Sequence, residues 1–377
     1  MKTYNVGIIG FGFIGKVHAY GHINMPLFYD NLPFRAKITH VCTSRISSAE
    51  AGRDVIGADF ATTDFREITE NPDIDIVHIC SPNNKHKDAL LSAMAQQKNI
   101  YCDKPLVVNM EEAAEIAASL PAYRGIAQMT LQNRFFPATM RAKQLMDEGF
   151  IGTPLEFRAS YLHAGSADPK APLKWKLNGD AGGGVIADLA SHIMDLMHYL
   201  LGDYSEIFAT TKIAYPQRPS VDNPNVMVPV NAEDCVMMLA RMANGALGNI
   251  EATKIATGTE DELRFEIHGS QGALRFNTMD AHHLEVFDAR VSDAPIGGMR
   301  GWTVVDTGQR YPKPGGSLPS PKNAIGWMRS HMACLYNFMS SVYAGIPAEP
   351  GLQQGIYIQR LMECVRQSNV SNSWEKV

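Results

Sequence analysis

The groups able to carry proton and hydride chemistry fall in two short stretches. Between Val185 and Leu201 an amphipathic run carries Asp188, His192 and Asp195 at i, i+4 and i+7, preceded by Gly182-Gly183-Gly184 and followed by Gly202. The spacing predicts one helix with all three on one face, because an α-helix turns once in about 3.6 residues. Ile186, Leu189, Ile193, Leu196 and Leu200 are interleaved with them, so the polar line borders a buried stripe, where a titratable group is costly unless paired or useful. The glycines leave room for another group to approach the helix start. Upstream, Asp103-Lys104 follows the strand-like Asn99–Cys102. Oxidising an alcohol carbon needs a hydride acceptor, a base for the hydroxyl proton and a positive partner for the developing alkoxide. His192 suits the base, since imidazole titrates near neutral pH. Lys104 suits the partner of the reacting oxygen, and Asp188 can orient the imidazole or bind a neighbouring hydroxyl. A metal centre made from Asp188, His192 and Asp195 lacks a fourth ligand, so no metal is expected there.

The hydride acceptor has its own signature. The apolar run Tyr4–Ile9 leads directly into Gly10-Phe11-Gly12-Phe13-Ile14-Gly15 and then a helical segment through His18 and His22. This is G-x-G-x-x-G between strand and helix, the setting in which it binds a dinucleotide. Gly10 permits the tight turn, Gly12 lets backbone meet a pyrophosphate, Gly15 lets helix pack on strand, and the helix start attracts the anion, with Phe13 and Ile14 alongside. The second strand, Ala36–Thr43, follows an insertion around Met25–Phe34 and ends in Thr43-Ser44-Arg45, with no carboxylate for a ribose 2′-hydroxyl. Ser44 and Arg45 suit a 2′-phosphate better, which puts NADP ahead of NAD. Further strands are expected at Ile76–Cys80, Asn99–Cys102 and Gly125–Thr130, separated by helices through Ala89–Met94 and Met110–Ser119. That alternation makes a doubly wound parallel sheet whose ligands sit at the carboxyl ends of its strands. Ser81, Pro82, Asn83, His86, Asp103 and Lys104 follow such ends and complete the expected cofactor site.

A chain of 377 residues, 45% hydrophobic and 19% charged, has the length for two domains. They are expected at 1–130, a dinucleotide-binding Rossmann domain, and 131–377, an α+β domain for substrate binding and oligomerisation. A net charge of −5 and no dense basic run argue against nucleic acid. No stretch of about 18 apolar residues suggests a membrane span and the N-terminus enters a strand directly, so a cytoplasmic location is expected. Six cysteines without a C-x-x-C pair read as buried thiols, giving neither a disulfide framework nor a zinc site.

Past residue 131 the pattern changes. A helix is expected over Ala138–Glu148, then a strand at Leu155–Tyr161 and a loop, His163–Asp180, containing Trp175. After Gly202 come strands at Glu206–Ala214, Cys235–Met242, Ala246–Thr253, Glu262–His268, Ala273–Phe276 and Leu284–Phe287, an antiparallel meander turning at Asn244-Gly245 and Gly269–Gly272. Helices at Trp327–Tyr343 and Leu352–Gln367 close the chain. Pro216–Val230 and Val291–Arg329 are rich in Pro, Gly and Ser and serve either as covers of the site or as plain surface loops. Tyr161, His163 and Trp175 are candidates for substrate contact or packing; a polar face together with the Trp175 indole suits a polyhydroxylated ring.

Together these residues resemble the Gfo/Idh/MocA oxidoreductases, which include glucose-fructose oxidoreductase and inositol dehydrogenases. The resemblance rests on Gly10–Gly15, Ser81-Pro82-Asn83-Asn84-Lys85-His86, Cys102-Asp103-Lys104-Pro105, Gly182–His192 and Ala344–Pro350, in that order. Asp103 stands where the family usually has Glu, and Gln132-Asn133-Arg134-Phe135 carries Gln132 in place of Asn in Asn-x-Arg-Phe. The resemblance implies an NAD(P)-dependent dehydrogenase acting on a sugar, sugar derivative or cyclitol, with Lys104, Asp188 and His192 catalytic and Gln132 at the substrate. It also implies a homodimer or homotetramer paired through one face of the open, mainly antiparallel C-terminal sheet. Two other activities are compatible with the same motifs: a glycosidase working by transient oxidation, and a non-catalytic dinucleotide sensor, which would be expected to lose Lys104 or His192.

Overall fold

The computed structural model describes residues 1–308, 312–320 and 323–377. The chain packs into two compact units.

In the first, strands β1 (Lys2–Ile9), β2 (Phe34–Cys42), β3 (Phe60–Thr62), β4 (Ile76–Ile79), β5 (Asn99–Cys102) and β6 (Ala127–Met129) form one parallel sheet in the order β3-β2-β1-β4-β5-β6. Helices α1 (Phe13–Phe28), α2 (Ile46–Ile56), α3 (Arg66–Thr69), α4 (His86–Ala95) and α5 (Met110–Ser119) alternate with the strands. Val6, Ile8, Ile76, Val77 and Ile79 have no exposed surface, as expected of strands covered on both faces. The short β3 and the helix before it escaped the sequence reading, and most of the Met25–Phe34 insertion is the last turn of α1 with its exit loop.

All of 131–377 is expected in the second domain, yet Met328–Gln359 packs with the first unit. The reason is apolar area: α8 (Trp327–Ala344) buries Met332, Leu335, Phe338 and Met339. Tyr336 stacks on Tyr29 with ring centroids 3.9 Å apart, and Phe338 lies 5.1 Å from Tyr101. α8 is followed by α9 (Leu352–Ser371).

The second unit begins at Asn133. It contains α6 (Pro137–Asp147), α7 (Ser191–Leu201) and strands β7 (Pro154–Leu162), β8 (Tyr204–Lys212), β9 (Gln217–Pro219), β10 (Met227–Pro229), β11 (Cys235–Met242), β12 (Leu247–Thr253), β13 (Glu262–Gly269), β14 (Gly272–Asn277), β15 (His283–Asp288), β16 (Trp302–Asp306) and β17 (Glu375–Lys376). Nine strands pair in the order β16-β15-β14-β13-β7-β12-β11-β8-β17. The expected meander is therefore interrupted: β7 inserts between β13 and β12 and runs parallel to β12. Phe157, Ala159 and Tyr161 of β7 are buried, and a strand that apolar is stabilised by a central place in the sheet. The 216–230 segment is a β9–β10 hairpin rather than an irregular loop. Its buried Arg218 donates to the carbonyls of Asp168 (2.7 Å) and Ser166 (2.6 Å), fastening the loop that follows β7. The 291–329 segment contains β16; its residues 309–311 and 321–322 lie outside the described residues.

Candidate active site

The first unit presents a dinucleotide cradle, and each motif glycine is needed for a different reason. Gly10 has φ +92°, and a Cβ there would meet the Cys80 carbonyl and the Ser81 nitrogen at 2.5 Å. A Cβ on Gly15 would lie 2.1 Å from the Gly10 carbonyl oxygen, so α1 could not pack against the turn. At Gly12 a Cβ would meet nothing within 4 Å. That open space at the start of α1 is where a pyrophosphate approaches backbone N–H groups, so the residues fit the cofactor the motif implies. Phe13 is exposed beside it and Ile14 half-buried.

Asn83 opens a short 3-10 turn after Ser81-Pro82 and is buried. His86, expected among the cofactor contacts, is fully buried instead. Its Nδ1 faces the carbonyls of Pro105 (3.0 Å) and Leu106 (3.3 Å), and its Nε2 the carbonyl of Ser81 (2.9 Å). It is a positioning residue that ties the Ser81 turn to the Lys104-Pro105 turn. Asp103 donates its N–H to the Ile79 carbonyl at 2.9 Å, which fixes Lys104 at the carboxyl end of β5. Lys104 is half-buried. Its ammonium is felt by His331 on α8, whose pKa burial, with Lys104 adding, pushes down to about 3. Ser44 and Arg45 are exposed at the end of β2, with Arg45 capping α2.

The second unit holds the Asp188–His192 stretch, with one correction. The single helix expected over Val185–Leu201 is two segments, a π-helix at Ile186–Ala190 and then α7. A π segment bonds i→i+5 and turns less per residue, so Asp188 and His192 do not stack at α-helical spacing; such bulges recur at functional sites. The room beside the glycines is filled from within the chain. Glu233 accepts from the Ile186 N–H at 2.9 Å, its own carbonyl accepts from Val185, and a Cβ on Gly184 would meet the Glu233 carboxylate at 2.3 Å. Glu233 thus caps the helix start, a contact worth about 1 kcal/mol.

Asp188 spends one oxygen on each of two lysines: Oδ1 on Lys176 at 3.0 Å and Oδ2 on Lys254 at 3.0 Å. Lys254 has only 7% of its side chain exposed, and a lysine so buried is retained when paired. His192 is buried with its ring 5.9 Å from that of Tyr161. Burial first, then the charge and hydrogen bond of Asp261 and the charge of Asp188, raise the Tyr161 phenol well above its usual pKa. Trp175 is 39% exposed beside Lys176. His163 uses Nδ1 to accept from the Gly165 N–H at 2.8 Å, which shapes the loop. Asp195, expected on the face of His192, is instead paired with Arg134 through two contacts of 2.8 and 2.5 Å. Gln132 is buried at the start of the 3-10 turn Gln132–Phe135.

The second unit therefore gathers a carboxylate, two ammonium groups, a phenol, an imidazole and an exposed indole, a set suited to hydroxyl groups and the CH face of a ring. Lys176, Lys254, Asp261 and Glu233 were missed in the sequence. Only the apolar strand ending at Thr253-Lys254 hinted at a buried cation.

The chain as a whole is similar to known oxidoreductases. Residues 4–130 match the oxidoreductase family with an NAD-binding Rossmann fold, and residues 139–275 match the GFO/IDH/MocA C-terminal domain. Levoglucosan dehydrogenase of Pseudarthrobacter phenanthrenivorans is 33% identical over 392 aligned positions, covering 100% of this chain and 99% of that protein. The scyllo-inositol 2-dehydrogenase (NAD(+)) of Bacillus subtilis is 28% identical, covering 77% and 78%. A structure of levoglucosan dehydrogenase in complex with NADH and levoglucosan is 32% identical, covers 100% of this chain and 99% of that one, and has a TM-score of 0.94. Its complex with NADH and L-sorbose is 31% identical and has the same TM-score, 0.94. Among the described residues no helix is long and apolar enough to cross a membrane.

Proposed function

This chain belongs to the Gfo/Idh/MocA family of oxidoreductases, and on that premise we propose that it oxidises a secondary hydroxyl of an anhydrosugar, pyranose or cyclitol with a nicotinamide dinucleotide. The observation that carries the reading is the hydroxyl-binding set around Asp188, flanked by Lys176 and Lys254 with Tyr161, His192 and Trp175 in the same unit. A bound nicotinamide would supply the hydride acceptor. His192 takes the hydroxyl proton, Lys104 holds the developing charge on the oxygen, and Asp188, itself held by two lysines, accepts from a neighbouring hydroxyl. Trp175 covers a CH face of the ring. A dehydrogenase screen over levoglucosan, pyranoses and inositols tests this through NADH or NADPH absorbance. Net coenzyme reduction by a free polyol supports it. Cleavage of a glycoside without net reduction, or coenzyme binding without turnover across the panel, overturns it.

NAD is used by this reading, as NADH is bound in the structures of the similar levoglucosan dehydrogenase, and exposed Arg45 adds acceptance of a 2′-phosphate. Arg45→Ala is expected to raise the KM for NADP at least about tenfold, the loss of one charge-assisted contact, and to leave the KM for NAD nearly unchanged. Equal effects on both coenzymes would count against Arg45 as the 2′-phosphate contact.

The chain pairs with its own copies through the second sheet. On β11, Met237 and Leu239 are each 47% exposed while Val236, Met238 and Ala240 face the core, so one sheet face offers apolar area to a partner. Leu239→Lys is expected to shift sedimentation toward the monomer; an unchanged coefficient from a monomeric wild type would remove this face as an interface.

A further inference from the structure

Two residue spacings that hydride transfer leaves unused meet inside the first unit. His78 on β4 and Cys80 just past its end are two apart, so they share one side of the strand, while Val77 and Ile79 take the other. His18 and His22 on α1 are four apart and share one helix face. The two faces meet. His18 Nδ1 lies 3.0 Å from His78 Nδ1 and 3.1 Å from Cys80 Sγ, and His22 Nε2 lies 2.9 Å from His78 Nε2. Tyr101 walls the cluster, its ring 4.8 Å from His18 and 5.1 Å from His78.

Hydrogen bonding alone does not close this arrangement. A neutral imidazole nitrogen carries either a proton or a lone pair, yet His18 Nδ1 is approached at once by His78 Nδ1 and Cys80 Sγ. Three neutral rings bring three N–H groups to two ring-to-ring contacts. The outer nitrogens, His18 Nε2 and His22 Nδ1, are buried without a hydrogen-bond partner among the described residues.

We propose that His18 Nδ1, His78 Nδ1 and Cys80 Sγ form a binding site for a thiophilic d10 cation, Zn(II) or Cu(I). The three atoms lie within 4.8 Å of one another. Metal–nitrogen bonds of about 2.0–2.1 Å and a metal–sulfur bond of about 2.3 Å at tetrahedral angles set the ligands roughly 3.3–3.6 Å apart, so the contacts of His18 Nδ1 with His78 Nδ1 and Cys80 Sγ, at 3.0 and 3.1 Å, need to open by only a few tenths of an ångström. Two imidazoles and a thiolate are the donor set these ions select. His22 supplies the outer support: His78 donates its Nε2–H to His22 Nε2, which fixes the tautomer and aims the Nδ1 lone pair at the ion. The Cys80 thiol gives up its proton to solvent as the metal–sulfur bond forms, with no change of oxidation state. Asp103, within Coulombic range of Cys80, offsets the charge that Zn(II) would leave. Because Cys80 leads into Ser81-Pro82-Asn83 and its carbonyl touches the Gly10 turn, an ion here would staple α1 to the dinucleotide cradle.

The test uses the full chain, reduced and stripped of metal. Co(II), standing in for Zn(II), is titrated anaerobically, and Cu(I) is offered against a competing chelator. One equivalent of Co(II) is expected to give a thiolate-to-cobalt charge-transfer band with d–d bands of a tetrahedral site, displaced by Zn(II); stoichiometric Cu(I) capture alone would assign the site to copper. Cys80→Ser should abolish the charge-transfer band. His22→Leu should keep it but weaken affinity about 10–100-fold. Circular dichroism and NADH binding confirm that each variant is folded, so the result is independent of which sugar is oxidised. The proposal fails if the wild type binds neither ion, if Cys80→Ser keeps the band, or if binding is lost only on His282→Asn/His283→Asn, which removes the half-buried cluster of His282, His283 and Asp306.

Discussion

Lys104→Ala is expected to lower kcat by about 10²–10⁴-fold, the range for loss of one positioned acid, base or charge partner, while the dissociation constant for NADH stays nearly unchanged. The separation follows from how the residue is held. The turn that carries Lys104 is fixed by backbone, through the Asp103 N–H on the Ile79 carbonyl and through His86 on the carbonyls of Pro105, Leu106 and Ser81. None of those contacts uses the ammonium, so truncation removes charge without loosening the cradle. Stopped-flow turnover beside NADH fluorescence titration checks this, and loss of NADH binding with normal turnover per bound coenzyme would overturn it. His331 gives a second readout. The ammonium of Lys104 is the lesser of two causes that push its pKa down to about 3. Removing the ammonium should raise that pKa, while burial keeps it below the ordinary imidazole value. A proton-NMR titration of His331 reports the change even where no substrate is turned over.

What could be read from the chain depended on whether a local rule fixed the outcome. The Gly10–Gly15 turn was legible because Gly10 and Gly15 each answer to a backbone contact within a few residues or across one strand, and Gly12 to the open space the motif leaves for a phosphate. Strands such as Cys235–Met242 were legible because one face alternates with the other. The π segment at Ile186–Ala190 was not, since a one-residue change in turn leaves no mark on an apolar pattern. Its cap, Glu233, comes from a residue remote in sequence. The same limit hid the partners of Asp188: Lys176 and Lys254 are brought to it by the loop after β7 and by the end of β12. His18, His22, His78 and Cys80 had the right spacings within their own elements, yet nothing in either spacing says that α1 covers that side of β4. Parallel insertion of β7 between β12 and β13 was equally remote, because pairing across a crossover carries no turn signature.

The same distinction decides what Asp195 does, and the second large effect follows from it. Asp195 has 2% of its side chain exposed and Arg134 has 11%; guanidinium and carboxylate meet as a fork, and the guanidinium also lies 4.8 Å from the centre of the Tyr199 ring. A carboxylate so engaged braces α7 against the Gln132–Phe135 turn. Asp195→Ala strands the buried guanidinium and is expected to destabilise the second unit by about 3–5 kcal/mol, as is Arg134→Ala for the opposite charge. The joint replacement Arg134→Met/Asp195→Leu leaves neither charge alone and should recover most of that loss, so the coupling in a double-mutant cycle over urea unfolding, closed with Arg134→Met and Asp195→Leu as the single variants, will be large and favourable. A contact role with substrate predicts otherwise: the joint variant would be stable and yet lose turnover. Because the fork is spent within the protein, kcat per folded molecule of the joint variant should stay close to that of the wild type, and a fall matching that of Lys104→Ala would place Asp195 in the reaction instead.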